Sequence, residues 1–136
     1  MNDLSKVIMD IIELKQSLNI IEEDFTFEKA VDWYSYAIPL GLVEAEYEND
    51  KLIGYLEWVR LSVIPVSLHN IKLDYDIIKT APVLLICNAG ARDKKTLMAL
   101  KNKVAEKNKD YSVSCWHRKG NDPDKFTIFK RKGSSI

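Results

Sequence analysis

Long apolar runs are missing from this sequence. The longest, Pro82–Cys87, falls far short of the roughly 20 residues that a bilayer-spanning helix needs, so no helical membrane span is expected. Cysteine is scarce. Cys87 and Cys115 cannot build a disulfide framework or a Cys-based zinc site, and a reducing cytoplasm is the expected location. No basic stretch followed by an apolar block opens the chain, so no secretory signal is expected. Histidine is limited to His69 and His117; His69, Asp74 and Asp76 have no metal-ligand spacing, and no metal site is expected. A Ser-centred elbow, a Walker loop and a dinucleotide fingerprint are also lacking.

What is present is a chain of 136 residues with 46% hydrophobic and 10% aromatic residues, enough for one folded domain. Net charge is zero, but its distribution is not even. Residues 1–76 hold 15 acidic and 6 basic residues, a balance of −9, and residues 77–136 hold 5 and 14, a balance of +9. Either the basic part meets an anionic partner, or the two parts interleave and screen one another.

Apolar residues Leu4, Val7, Ile8, Ile11, Ile12 and Leu18 recur at helical spacing, predicting a helix over 4–18. A second helix is expected after a Thr26 cap, with Phe27, Ala30, Val31 and Tyr34 as its apolar stripe and Pro39 with Gly41 at its end. From Leu42 the period becomes two. Val43, Ala45 and Tyr47 alternate with glutamates, Asn49-Asp50 is turn chemistry, and Leu52–Arg60 is the returning strand of a hairpin. Pairing Tyr47 with Leu52 places Glu44, Glu46 and Glu57 on one face. Residues 61–81 fit helix and strand equally and stay unassigned. Val83–Cys87 is a strand buried on both faces, followed by a small-residue loop, Asn88–Arg92. A helix is expected from about Asp93 to Lys107 with Leu97, Leu100 and Val104 inside. Two strands, Tyr111–His117 and Lys125–Arg131, are joined by the turn 120–123, and residues 133–136 are a frayed tail.

A strand entering a small-residue loop that opens a helix presents free backbone amides and the positive end of a helix dipole. Arg92, Lys94 and Lys95 crowd that end, where cations are ordinarily disfavoured, so an anion between them would balance the arrangement. The alternative is a solvated lysine-rich helix with Asp93 as its cap. Glu57 is a candidate general base: its carboxylate, flanked by Tyr55 and Trp58, could take the proton that an amine must lose before attack. The competing role is an ordinary charged residue of a solvent-facing strand.

The order of elements over residues 25–131 resembles a small, divergent member of the GNAT superfamily of acyl-CoA-dependent N-acyltransferases. Leu42–Arg60 resembles the family's central hairpin, and Val83–Cys87 the strand along which pantetheine lies. The resemblance implies a single α/β (α+β) domain with a mixed, mostly antiparallel central sheet flanked by helices, preceded by an N-terminal helix region, 1–24. It implies acetyl-CoA as cofactor, bound by Ile86, Cys87, Asn88, Gly90, Ala91, Arg92, Lys94, Lys95 and Thr96. It implies transfer of an acetyl group to a small-molecule or protein amine, with Glu57, His117 and Tyr111 as catalytic candidates. The family's loop signature is Arg or Gln, two residues, Gly, one residue, then Gly or Ala. Arg92 holds the first place, whereas Lys95 and Leu97 stand where small residues belong, and the late helix carrying a Tyr general acid has no counterpart. A degenerate, phage-type or non-catalytic member fits the same pattern.

A different class competes. Arg118, Lys119, Lys125, Lys130, Arg131 and Lys132 with Trp116, Phe126 and Phe129 form a basic, aromatic hairpin suited to phosphates and unpaired bases, as in a nucleic-acid-binding module. A protein-interaction scaffold is the third option.

Overall fold

Helices in this chain begin where a short polar side chain can satisfy free backbone amides. The computed structural model describes residues 3–21, 25–62, 81–117 and 126–130, with Trp116, His117 and 126–130 described by backbone alone. Asp3 caps α1 (Leu4–Ser17) by accepting from the Lys6 amide at 2.8 Å. Thr26 caps α2 (Phe27–Ala37) by accepting from the Lys29 amide at 3.1 Å, as its sequence predicts. Gly41 follows α2 with a φ of 77°, a left-handed position that glycine adopts without strain. Ala30, Tyr34 and Ala37 form the buried stripe of α2. Phe27, expected inside, is 55% exposed instead, because it is the first helical residue and precedes the part of the helix that packs.

Strands β1 (Val43–Glu48) and β2 (Lys51–Leu61) form the expected antiparallel hairpin. Asn49 and Asp50 have φ of 52° and 64°, the two consecutive left-handed positions of a type I′ turn, whose twist matches that of the flanking strands. The register holds Tyr47 against Leu52, then shifts so that Glu46 faces Gly54, Ala45 faces Tyr55 and Val43 faces Glu57. Ile53 is the extra residue of a bulge, and a one-residue insertion exchanges the faces beyond it. The single acidic face is therefore corrected. Glu44 and Glu46 stand with Gly54 and Leu56, whereas Glu57 stands with Val43, Ala45 and Tyr55 on the opposite face.

The remaining elements are β3 (Val83–Ala91), α3 (Lys94–Lys107), β4 (Val113–His117) and β5 (Phe126–Lys130). The sheet order is β1-β2-β3-β4-β5. β3 and β4 pair in parallel, while β1–β2 and β4–β5 pair antiparallel, giving the mixed sheet of an α+β architecture. The loop expected at Asn88–Arg92 is also corrected: β3 continues to Ala91. Gly90 lies where an added Cβ would stand 2.7 Å from Ile20 Cδ1 and 2.8 Å from Tyr55 Cε1. Small residues here mark close packing of a strand rather than a loop.

The chain divides into two compact units, Met1–Glu57 with Ala89–Lys103, and Trp58–Asn88 with Val104–Ile136. In the first, Ile8, Ile11, Ile12, Ala30, Tyr34, Leu52 and Tyr55 bury a common core. On the other face of β2, a Cβ at Gly54 would stand 2.8 Å from Thr96 Cγ2 and 2.9 Å from Leu100 Cδ1 of α3. Each of these large apolar side chains contributes about 1.5–3 kcal/mol by leaving water. In the second unit Val83–Ile86 are all buried, with Val104, Val113 and Cys115. Residues 63–80, the turn 120–123 and the 133–136 tail lie outside the described residues.

Candidate functional site

The most unusual chemistry is a charge pair enclosed in the first unit. Lys15 occupies a position on the apolar stripe of α1, i+3 and i+4 from Ile12 and Ile11, so helical periodicity turns it inward. The bulge turns Glu57 toward the same side. The two residues are each 4% exposed, and Lys15 Nζ lies 4.0 Å from Glu57 Oε2, an ion-pair separation longer than a hydrogen bond.

Two consecutive residues of α2 join the arrangement. Trp33 Nε1–H donates to Glu57 Oε1 at 2.7 Å, and the Tyr34 hydroxyl donates to Oε2 at 2.6 Å. An indole nitrogen has no acceptor capacity, so Oε1 accepts there. The Lys15 ammonium also lies 5.6 Å from the Tyr34 ring centroid and 5.7 Å from that of Tyr55, where aromatic faces attract a cation. Burying either charge alone would cost several kcal/mol. The donors, the rings and the opposite charge together make burial possible. A cavity of about 230 Å³ opens against this group, lined by Lys15, Phe25, Thr26, Lys29, Ala30, Trp33, Tyr34 and Glu57.

Sequence reasoning singled out Glu57 but missed Lys15, Trp33 and Tyr34 as its partners. One signal was present. A lysine on the apolar stripe of an amphipathic helix announces a buried charge that needs a partner.

A larger cavity, about 380 Å³, is lined by Asp10, Glu13, Leu14, Ser17, Asp50, Lys51 and Leu52. Its central carboxylate, Asp10, already accepts from Lys6 at 2.7 Å and from the Tyr47 hydroxyl at 2.9 Å. Burial, and then the bond to Asp10, pushes the Tyr47 phenol above its ordinary range.

The start of α3, where the sequence suggests an anion site, carries carboxylates of the chain itself. Asp93 Oδ1 accepts from the Thr96 amide at 2.8 Å, so the helix is capped by its own carboxylate. Arg92 Nη2 and Nη1 reach the Glu48 carboxylate at 3.0 and 3.3 Å, and Nε reaches Asp93 at 3.2 Å. The Thr96 amide, then Arg92, holds the Asp93 carboxyl below its usual range, and the Arg92 guanidinium does the same to Glu48. Lys103 pairs with Glu46. The basic α3 thus meets acidic β1, and this part of the charge asymmetry is spent on internal screening. Lys94 and Lys95 are exposed in the first turn of α3, and Thr96 is buried against Gly54.

Ile86 is buried in β3, and Cys87, Asn88 and Ala91 are half-buried along it. Cys115 pairs in register with Leu85; burial pushes its thiol up, and Cys87 and Cys115 form no disulfide. Tyr111 is half-buried just before β4, and His117 ends that strand. The His117 side chain and the basic, aromatic side chains of the last hairpin lie outside the described residues, as do His69, Asp74 and Asp76. Among the described residues no three His, Cys, Asp or Glu side chains group as a metal site, and no helix is long and apolar enough to cross a membrane. No protein-family model, curated protein or solved structure matches this chain.

Proposed function

We propose that this chain is a GNAT-like acyltransferase domain that holds a primary amine in the Glu57 cavity and acylates it from acetyl-CoA. The observation that carries the reading is the Glu57 carboxylate, fixed by Trp33 and Tyr34 at 2.7 and 2.6 Å at the wall of a small cavity beside a buried ammonium. The same order of elements that suggests the family, a hairpin followed by β3–α3–β4 with parallel strands, supports it.

The chemistry asks for a neutral amine. A cation close by disfavours a second cation, so the Lys15 ammonium favours an entering amine in its uncharged, nucleophilic form. Glu57 accepts a hydrogen bond from that amine and takes its proton, directly or through one water, as nitrogen bonds to the acyl carbon. Acetyl-CoA supplies the activated acyl group, and its carbon–sulfur bond breaks with the electron pair leaving on sulfur. Arg92, Lys94 and Lys95 are the cations that would meet its phosphates, and the phosphates would compete with Glu48 and Asp93 for them.

Thermal unfolding with excess acetyl-CoA, against desulfo-CoA and ATP, tests the reading. Ligand at a hundred times its dissociation constant stabilises by about 2.7 kcal/mol. Support would be a shift with acetyl-CoA that Arg92→Ala weakens and Asp93→Asn strengthens, together with amine-dependent thiol release that Glu57→Gln abolishes. No shift at millimolar acetyl-CoA would remove the acyltransferase reading.

A further inference from the structure

Two buried donors on β2 find no acceptor among the described residues: the indole Nε1–H of Trp58 and Nη2 of Arg60. The two residues are 8% and 1% exposed. They stand two positions apart on one strand, beyond the bulge at Ile53, so they share a face with Cα atoms about 6.6 Å apart. Burying a donor without an acceptor is costly, which makes such a group a mark of something that binds there.

The rest of the guanidinium is held in place. Arg60 Nε donates to the Ala81 carbonyl at 2.6 Å, and Nη1 donates to Asn108 Oδ1 at 3.1 Å and Asp110 Oδ1 at 2.9 Å. Asn108 is held in turn by its Nδ2, which donates to the Val104 carbonyl at 2.8 Å. Turning Nη2 away would break these bonds. Nη1 and Nη2 share one end of the guanidinium, and Asp110 at that end is 64% exposed, so the end lies one side chain from water. All of these residues belong to the second unit, and none lines the Glu57 cavity.

We infer that Trp58 Nε1–H and Arg60 Nη2 bind the carboxylate of a small ligand. Both groups only donate. A water molecule brings two hydrogens that need acceptors of their own, whereas a carboxylate only accepts. Its charge is matched by Arg60, whose counterion Asp110 lies mostly in solvent, where the pairing is screened. A carboxylate also offers two oxygens to two donors with a single charge, whereas a phosphate dianion would bury a second charge against one guanidinium. The inference is independent of the acyl-transfer reading.

The test follows the indole protons of the isotope-labelled whole chain by NMR during titration with acetate, and with chloride or inorganic phosphate at the same ionic strength. The chain has three tryptophans, and the signal lost in Trp58→Phe assigns the Trp58 proton. Acetate should move that proton downfield to saturation, and chloride should leave it in place. The Trp33 proton, already bonded to Glu57 at 2.7 Å, should stay still. Trp58→Phe keeps an aromatic ring and removes the donor, so its unfolding midpoint should report acetate binding about tenfold weaker, and the midpoint without acetate checks the fold. A Trp58 proton that millimolar acetate does not move, or that chloride moves equally, would overturn the inference. Phosphate that moves it as readily as acetate would overturn the choice of a carboxylate.

Discussion

The indole of Trp33 in α2 and the carboxylate of Glu57 in β2 meet across 2.7 Å, and this bond turns a helix–strand contact into one part of a buried polar network. Tyr34, the next residue of α2, takes the other oxygen, and Lys15 of α1 supplies the charge. Three elements therefore converge on one side chain. In such a network removing one charge costs more than removing both, because the survivor is left uncompensated in a medium of low polarity.

Urea unfolding of Glu57 and Lys15 variants should show that asymmetry. Glu57→Leu removes the carboxylate that lies 4.0 Å from the Lys15 ammonium and should cost about 3–5 kcal/mol. Lys15→Met should be costly for the mirror reason. The double variant Lys15→Met/Glu57→Leu should recover much of the loss, with a coupling of about 1–3 kcal/mol. Additive losses would mean that the two residues do not act as a pair.

Gly54→Ala should be destabilising although alanine has the higher strand propensity. The new methyl would stand 2.8 Å from Thr96 Cγ2, 2.9 Å from Leu100 Cδ1 and 3.3 Å from Ala91 Cβ. Overpacking of this kind costs about 1–3 kcal/mol. Pairing it with Thr96→Ser removes one clashing methyl and should return part of the stability. A neutral Gly54→Ala in denaturant unfolding would contradict the close approach of α3 to β2.

Acid should weaken the start of α3. The carboxyls of Asp93 and Glu48 are both held below their usual range in the folded chain. A depressed folded value means that the unfolded chain binds the proton first. Their stabilisation is therefore present above the unfolded values, near pH 4, and is lost as pH falls through the lower folded ones. Melting temperatures measured from pH 6 to pH 2 should fall, and Asp93→Asn should flatten the slope. An unchanged slope in that variant would show that the carboxylate contributes nothing to acid stability.

Arg60 should matter far more than its charged partner. Its side chain is 1% exposed and Asp110 is 64% exposed. Arg60 donates to the Ala81 carbonyl at 2.6 Å, to Asn108 at 3.1 Å and to Asp110 at 2.9 Å. Arg60→Ala should cost about 2–3 kcal/mol or more through lost charged hydrogen bonds and packing, while Asp110→Asn should cost under about 1 kcal/mol. Equal losses in chemical unfolding would place the stability in the ion pair rather than in the enclosed guanidinium.

Local chemistry was the legible part of this fold. Thr26 is a cap, Asn49-Asp50 is a left-handed turn and the apolar spacing from Leu4 to Ile12 is a helix; in each case nearest neighbours along the chain supply the interaction. Asn88–Ala91 misled, because small residues suit both a loop and a tightly packed strand, and only the close approach to Leu18, Ile20 and Tyr55 distinguishes them. The parity of Glu57 misled for a related reason. A bulge at Ile53 leaves no periodic mark of its own, yet it reverses the face of every residue that follows it.

Where helices start, where the hairpin turns and that β3, α3 and β4 follow one another are all written in neighbouring residues, since caps, turn angles and periodicity act over a few positions. The sequence also placed Glu57 among the candidates, whereas Lys15 went unread. Tertiary packing was needed to bring these two residues together, to set Trp33 and Tyr34 on the carboxylate, and to carry Arg92 to Glu48 across the hairpin. Those outcomes depend on strand register and helix packing. Both are set by contacts between residues far apart in the chain, where the price of burying a charge selects its partner.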